Sequence, residues 1–500
     1  MITKAMKNRG EAMGLLALVA LLAGCDWQRD ARFTERLTAL GPVAAGGALY
    51  YATSDARLVR VEPAGPSAAW TRLAGTPTEL VAAGDGVLVL ESAGRRLEQA
   101  VGGADLTLST LELPSGYGHL SLSPDEKFAV LTYSAASPKS GARNLNEVGV
   151  VNVAAFTFAK LVVDTSSLAP KSVVFGPTSA TPRYAAILLT SGVAVIDLER
   201  PGRQIHLDLT IGATKLVPSR AAWGATAAWL FVAADGSSDI FAISLDASGQ
   251  ELAGSVNFLA GPSAPEALVT FDAAPEQVLA VFAGGNVALL DARGRADREL
   301  HVTTGAPVTN ATLLPGLESG ALPVMLLTGD ATDAAYAWDL SSTELTPMSF
   351  GAPYSVRAVL PGGLALFSHD AMPFPGGSTP ALTALTLTRD ASSKLRARPQ
   401  AVQLDARLDG EALAASDAVF GLAGESALWR MPIGAPLPEQ VPLDYEAIAV
   451  GATDKFAWAD SGDPLGDVTF VPLDAFGAGA ARRLSGFLAT GVLDDVRGAK

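Results

Sequence analysis

The chain has 500 residues, 49% of them hydrophobic and 17% charged, with 50 Gly, 31 Pro and one Cys. This composition excludes a disordered chain and supports a sizeable packed core. One Cys excludes an internal disulfide, a Cys-based zinc site and an attached c-type haem, and a net charge of −15 argues against nucleic acid, which is held largely by clustered Lys and Arg.

At the N-terminus, Lys4, Lys7 and Arg9 precede an eleven-residue apolar run from Met13 to Ala23. That run is too short to cross a bilayer as a helix, and it has the basic start, short apolar centre and small-residue end of a secretory signal. It closes on Leu22-Ala23-Gly24-Cys25, which resembles the lipobox of bacterial lipoproteins. The resemblance implies cleavage after Gly24 and an acylated Cys25 as the new N-terminus. Residues 1–24 then form the signal peptide, residues 25–35 a lipid-anchored tether, and membrane lipid becomes the first expected partner. Asp26 is similar to the signal that retains lipoproteins in the inner membrane of enteric bacteria. That rule varies between lineages, so the expected location in the cell envelope is either the outer membrane or the periplasmic side of the inner membrane. Removing the leader takes away Lys4, Lys7, Arg9 and Glu11. The remaining chain is more acidic still and is repelled by anionic headgroups, so anchoring rests on lipid.

From about residue 36 a short apolar run recurs, closing in its clearest copies on an acid or Asn: Leu58–Glu62, Val148–Asn152, Val193–Asp197, Phe241–Asp246, Val287–Asp291 and Tyr336–Asp339. With weaker copies, ten aligned positions fall at Arg60, Thr110, Asn152, Asp197, Ser244, Asp291, Asp339, Thr386, Arg430 and Pro472, at intervals of 42 to 50 residues. A second apolar run precedes most of them, as at Phe128–Tyr133, Tyr184–Leu189, Trp229–Val232 and Val278–Phe282. Three or four short strands per unit make one antiparallel blade, and blades repeated radially make a propeller. The expected fold is therefore all-β: a β-propeller of about eight to ten four-stranded blades over 36–496, with a short tail at 497–500. A single ring is favoured over two smaller propellers or another array such as two sandwiches. The stretch Leu120–Val153, with its Ser123-Pro124-Asp125 turn, resembles the WD40/YVTN-like propeller superfamily. Pairing of a strand near Leu37–Leu40 with one near Phe487–Leu493 is expected to close the ring and remove two free edges.

Nucleophile, zincin and phosphate-loop motifs are absent from the sequence, so no catalytic residue and no metal ligand is assigned. His119, His206 and His301 sit in or beside strands and read as structural. The connections between second and third strands carry more. Two are long: 134–146 with Lys139 and Arg143, and 368–380 with His369, Asp370 and Phe374. Others hold grouped acids: Asp235 with Asp239, Asp330 with Asp333, and Asp460 with Asp463 and Asp467. Equivalent loops emerge on one face of a propeller, so these residues form the expected binding rim. The acids suit a basic or hydroxyl-rich partner or Ca²⁺, although calcium needs six to eight oxygens and no single loop has a calcium-loop spacing. Turn formation is the simpler reading of them, as it is of Asp125, Asp197, Asp291 and Asp339. Trp223, Trp229, Trp338, Trp429 and Trp458 read as packing between blades rather than as sugar-stacking platforms.

The function expected from these features is a non-enzymatic, lipid-anchored scaffold that binds an envelope or extracellular protein. It is similar in outline to the propeller lipoproteins of outer-membrane protein assembly. The alternatives are a propeller enzyme, either a lactonase-like metal-dependent hydrolase or a quinoprotein dehydrogenase, and a glycan-binding lectin or adhesin. Quinoprotein dehydrogenases commonly carry a vicinal disulfide, which one Cys forbids.

Overall fold

The computed structural model describes residues 39–489 except 103–105, 134–144, 164–168, 180–182, 191, 247–251, 320–321, 331, 361, 415–416 and 433–436. The leader, Cys25, the tether, Lys139, Arg143 and the C-terminal tail lie outside the described residues. No helix among those described is long and apolar enough to cross a membrane.

Ten antiparallel four-stranded sheets follow one another along the chain: 39–72, 79–112, 119–162, 172–208, 218–259, 265–303, 310–349, 355–403, 408–442 and 449–485. Each is a simple up-and-down meander, and together they make a single ring, a ten-bladed β-propeller. A small hairpin, Thr210–Ile211 with Thr214–Lys215, is inserted between blades 4 and 5. First strands of neighbouring blades meet around the ring axis, whereas a fourth strand such as Thr107–Glu112 is largely exposed.

The packing explains the sequence pattern. The second and third strands lie between two neighbouring blades, so both of their faces are covered. Along Tyr184–Leu188, Tyr184, Ala186 and Leu188 enter the core shared with blade 5, and Ala185 and Ile187 enter the core shared with blade 3. Strand alternation is still present, but both directions lead into apolar surroundings, and the strand reads as a continuous apolar run. Each such core joins two adjacent blades, and the series ends in one that joins blade 10 to blade 1. The tryptophans belong here: Trp223, Trp229, Trp338 and Trp458 are buried in inter-blade cores, and Trp429 stacks on Phe420.

The strand-end acids are turn formers by their hydrogen bonds. Asn152 accepts the N–H of Ala155 at 2.9 Å, Asp197 those of Glu199 and Arg200 at 3.1 Å, Asp291 that of Arg293 at 3.0 Å and Asp339 that of Ser341 at 3.0 Å. Each carboxylate or amide mimics a backbone acceptor at the turn into the fourth strand.

Three sequence expectations are corrected. Thr110 lies on the fourth strand of blade 2, whose third strand is Arg96–Val101; an outer strand covered on one face had been aligned with inner ones. Residues 368–380 are largely a hairpin rather than a loop, because the central strands of blade 8 run on as Leu364–Phe374 and Gly377–Arg389. Among the described residues the ring does not close by strand exchange. Ala39–Ala45 pairs with Ala48–Thr53 of its own blade, and Phe487–Ala489 is a 3₁₀ turn.

Side chains make the closure instead. Tyr51 donates to Asp460 Oδ2 at 2.7 Å, Phe487 packs against Tyr51 with ring centroids 5.1 Å apart, and Arg482 donates to the Ala64 carbonyl at 2.6 Å. Gly466, at φ +83°, lets residues 487 and 488 approach, since a Cβ there would lie 2.8 Å from Leu488 and Phe487. Burial raises the pKa of Asp460 against the opposing hydrogen bonds from Tyr51 and the Gly462 N–H, with nearby Asp467 also raising it. Tyr445 faces the same site, and Arg483 engages Asp467. A carboxyl whose folded pKa is raised binds its proton more tightly in the folded state, so its share of stability is present at low pH and lost as pH rises through the folded value. Asp460→Asn should therefore reduce the loss of stability between acid and neutral pH while retaining an acceptor for Tyr51. Denaturant midpoints measured across that range check this; an unchanged pH profile would contradict it.

Candidate binding face

Strand order assigns the two faces. In each meander the start of the first strand, the second-to-third connection and the end of the fourth strand share one end, and the other two turns share the opposite end. The second-to-third connections that carry the described members of the expected rim therefore share one end, as do both described chain ends, Ala39 and residues 486–489.

Their surroundings differ. Asp235 is exposed and lies 3.6 Å from Lys171 Nζ. Asp239 is half-buried, its N–H bonded to Ser237 Oγ at 3.1 Å. Asp330 and Asp333 are exposed, with Ser349 donating to Asp333 at 2.9 Å. Asp463 is exposed and accepts the Leu465 N–H at 2.7 Å. Asp370 is 72% exposed and lies 3.7 Å from Arg407. Phe374 is half-buried near the hairpin tip.

Three expected rim residues are buried in the body. His369 is 2% exposed, with Nδ1 3.1 Å from the Pro353 carbonyl and Nε2 2.9 Å from Thr383 Oγ1. A carbonyl only accepts, so Nδ1 carries the proton and Nε2 accepts from the hydroxyl. Burial among Phe350, Tyr354 and Phe367 pushes its pKa down and keeps the ring neutral. Asp460 belongs to the ring seam. Asp467 is held by Arg483 and Ser485, and the Arg483 guanidinium lowers its pKa. Among the described residues no three His, Cys, Asp or Glu side chains gather as a metal group.

Two features were not recognised in the sequence. Around the axis, on the rim face, polar residues at the starts of first strands link adjacent blades. His119 Nδ1 lies 3.0 Å from Glu79, which also accepts the Leu120 N–H at 2.7 Å. Arg220 donates to the Pro265 carbonyl at 3.1 Å and lies 3.8 Å from Glu266. The register shifts within the first strands of blades 5 and 6 fall next to Arg220 and Glu266, as bulges that re-aim side chains do. The available signal was a polar residue recurring where several units begin, as at Glu79, His119, Asn310 and Ser355. On the opposite face, a cleft of about 690 Å³ opens between blades 10, 1 and 2, bordered by Gly47, Glu62, Asp85, Asp454 and Lys455. It is built from turns distant in the chain and leaves no local pattern.

The class defined by this architecture is the β-propeller, here with ten blades. No family model matches the chain, and no curated protein matches it. Among solved structures it is similar to the dihydro-heme d1 dehydrogenase NirN in complex with DHE, with 11% identity over 71% of this chain and 72% of that chain and a TM-score of 0.43. It is also similar to apo AztD from Citrobacter koseri, with 11% identity over 63% and 86% and a TM-score of 0.37. Hsv2 from Kluyveromyces lactis shows 8% identity over 64% and 95%, with a TM-score of 0.37.

Proposed function

We propose that this protein is a lipid-anchored, non-enzymatic scaffold of the bacterial cell envelope, held by acylated Cys25, whose rim face binds a protein partner with a basic surface. The observation that carries this reading is the gathering of exposed Asp235, Asp330, Asp333, Asp370 and Asp463 on the face from which the blade 8 hairpin extends. Exposed charges of one sign steer an oppositely charged partner and chiefly set its association rate. Burial of the tryptophans in inter-blade cores weighs against a lectin that stacks sugars on them. The cleft on the opposite face is within the size range of small-molecule sites and keeps a ligand-binding or enzymatic role as the second reading.

The test is the double charge reversal Asp330→Lys with Asp333→Lys, compared with wild type in pull-downs from detergent-solubilised envelope and in binding kinetics with the recovered partner. Association should slow by about tenfold and lose much of its salt dependence. Equal recovery with an unchanged salt dependence would remove the rim from the binding surface.

A further inference from the structure

We propose that the distal part of the blade 8 hairpin, residues 371–380, is a second membrane contact whose tip rests on the lipid that holds Cys25. This inference rests on the acyl-anchor reading above.

The first argument is topological. The first described residue, Ala39, begins the first strand of blade 1, which starts on the face where the blade 8 hairpin emerges. Cys25 is 14 residues earlier, and a chain of that length spans at most about 45–50 Å. The tether therefore joins the body at the arm-bearing face rather than at the cleft-bearing face, and the arm is on the side nearer to the anchor.

The second argument is chemical. From Ala371 to Thr388 there is no charged residue, on a face otherwise marked by exposed Asp. The tip is Met372-Pro373-Phe374-Pro375-Gly376, with both prolines exposed and Met372 and Phe374 half-buried. Phe374 pairs with Gly377 across the turn, and Met372 with Thr379. Pro373, Pro375 and Pro380 carry no N–H, so the arm brings fewer unpaired donors into a poorly hydrated interface. The same prolines block the addition of a further strand, which sets lipid above an edge-pairing protein as the occupant.

The third argument is electrostatic. The acidic rim is repelled by anionic headgroups over a screening length of about 8–10 Å. The strand from exposed Asp370 to Phe374 adds about 13 Å at the rise of a β-strand, enough to carry the uncharged tip beyond that layer. The contact itself is weak, and the tether makes it effective by keeping the tip at high local concentration.

The experiment uses the full acylated protein in phosphatidylcholine vesicles. Acylation occupies the one native Cys, so Phe374→Cys supplies a unique site for an environment-sensitive fluorophore, and Asp454→Cys on the opposite face supplies the control. The arm probe should shift to the blue and be quenched several-fold more by lipid-borne quenchers than the control probe. A protein that floats with the vesicles while its arm probe stays solvent-like overturns the arm contact and leaves the anchor standing. A protein that does not float overturns both. An arm probe that becomes buried only when envelope proteins are added assigns the tip to a protein and overturns the lipid contact.

Discussion

Cys25→Ser should move the protein almost completely from the membrane fraction to the soluble fraction, the largest single-residue effect expected for this chain. Each buried acyl methylene contributes about 0.8 kcal/mol, and one chain gives only reversible binding, so stable anchoring requires several chains on one residue. The acidic body adds no attraction to anionic lipid, and the weak arm contact does not compensate once the tether no longer holds the tip near the surface. Fractionation together with metabolic acyl labelling checks the result. Unchanged fractionation with no acyl label would overturn the lipobox reading.

Trp338→Ala should be the most damaging substitution in the body. The indole is fully buried in the core joining blades 6 and 7, against residues that include Leu279, Val281, Met325 and Leu327, and its N–H donates to the Ser342 carbonyl at 2.8 Å. Truncating a buried Trp to Ala costs about 3–5 kcal/mol through lost transfer energy and the cavity left behind, and here it also removes a part-buried hydrogen bond. Trp338→Phe should recover most of the packing term but not the hydrogen bond. Thermal and denaturant unfolding of both variants checks this, and a loss under about 1 kcal/mol for the alanine variant would contradict the inter-blade role. Trp429, only partly buried beside Phe420, should cost less.

The fold was legible where burial is two-sided. Val193–Asp197 and Val287–Asp291 stand out because every position faces an apolar core on one side or the other. First and fourth strands lack that signature, since one edge faces the axis or one face meets solvent, and this is why Thr110 on an outer strand passed for an inner one. The rim was legible only in part. Equivalent turns do share a face, but adjacent His369 and Asp370 have opposite fates, one buried at 2% exposure and the other exposed at 72%. That division depends on where the blade ends within the hairpin, which has no counterpart in residue type.

By itself the sequence determined the strand-rich repeat and its approximate unit length, because apolar runs and turn residues follow from local geometry and from burial on two sides. The proposed export signal with its lipid site rests on a linear motif, which is read without a fold and lies outside the described residues. The tertiary structure alone decided the count of ten, the side-chain contacts that join blade 10 to blade 1, and which of the described acids are exposed. Closure turns on Tyr51 and Asp460, separated by 409 residues, and no local pattern encodes which distant side chain will remove a carboxylate from water. Which face carries the described chain ends, the exposed acids and the uncharged arm likewise follows from the direction in which each blade's first strand starts, a property of the assembled ring.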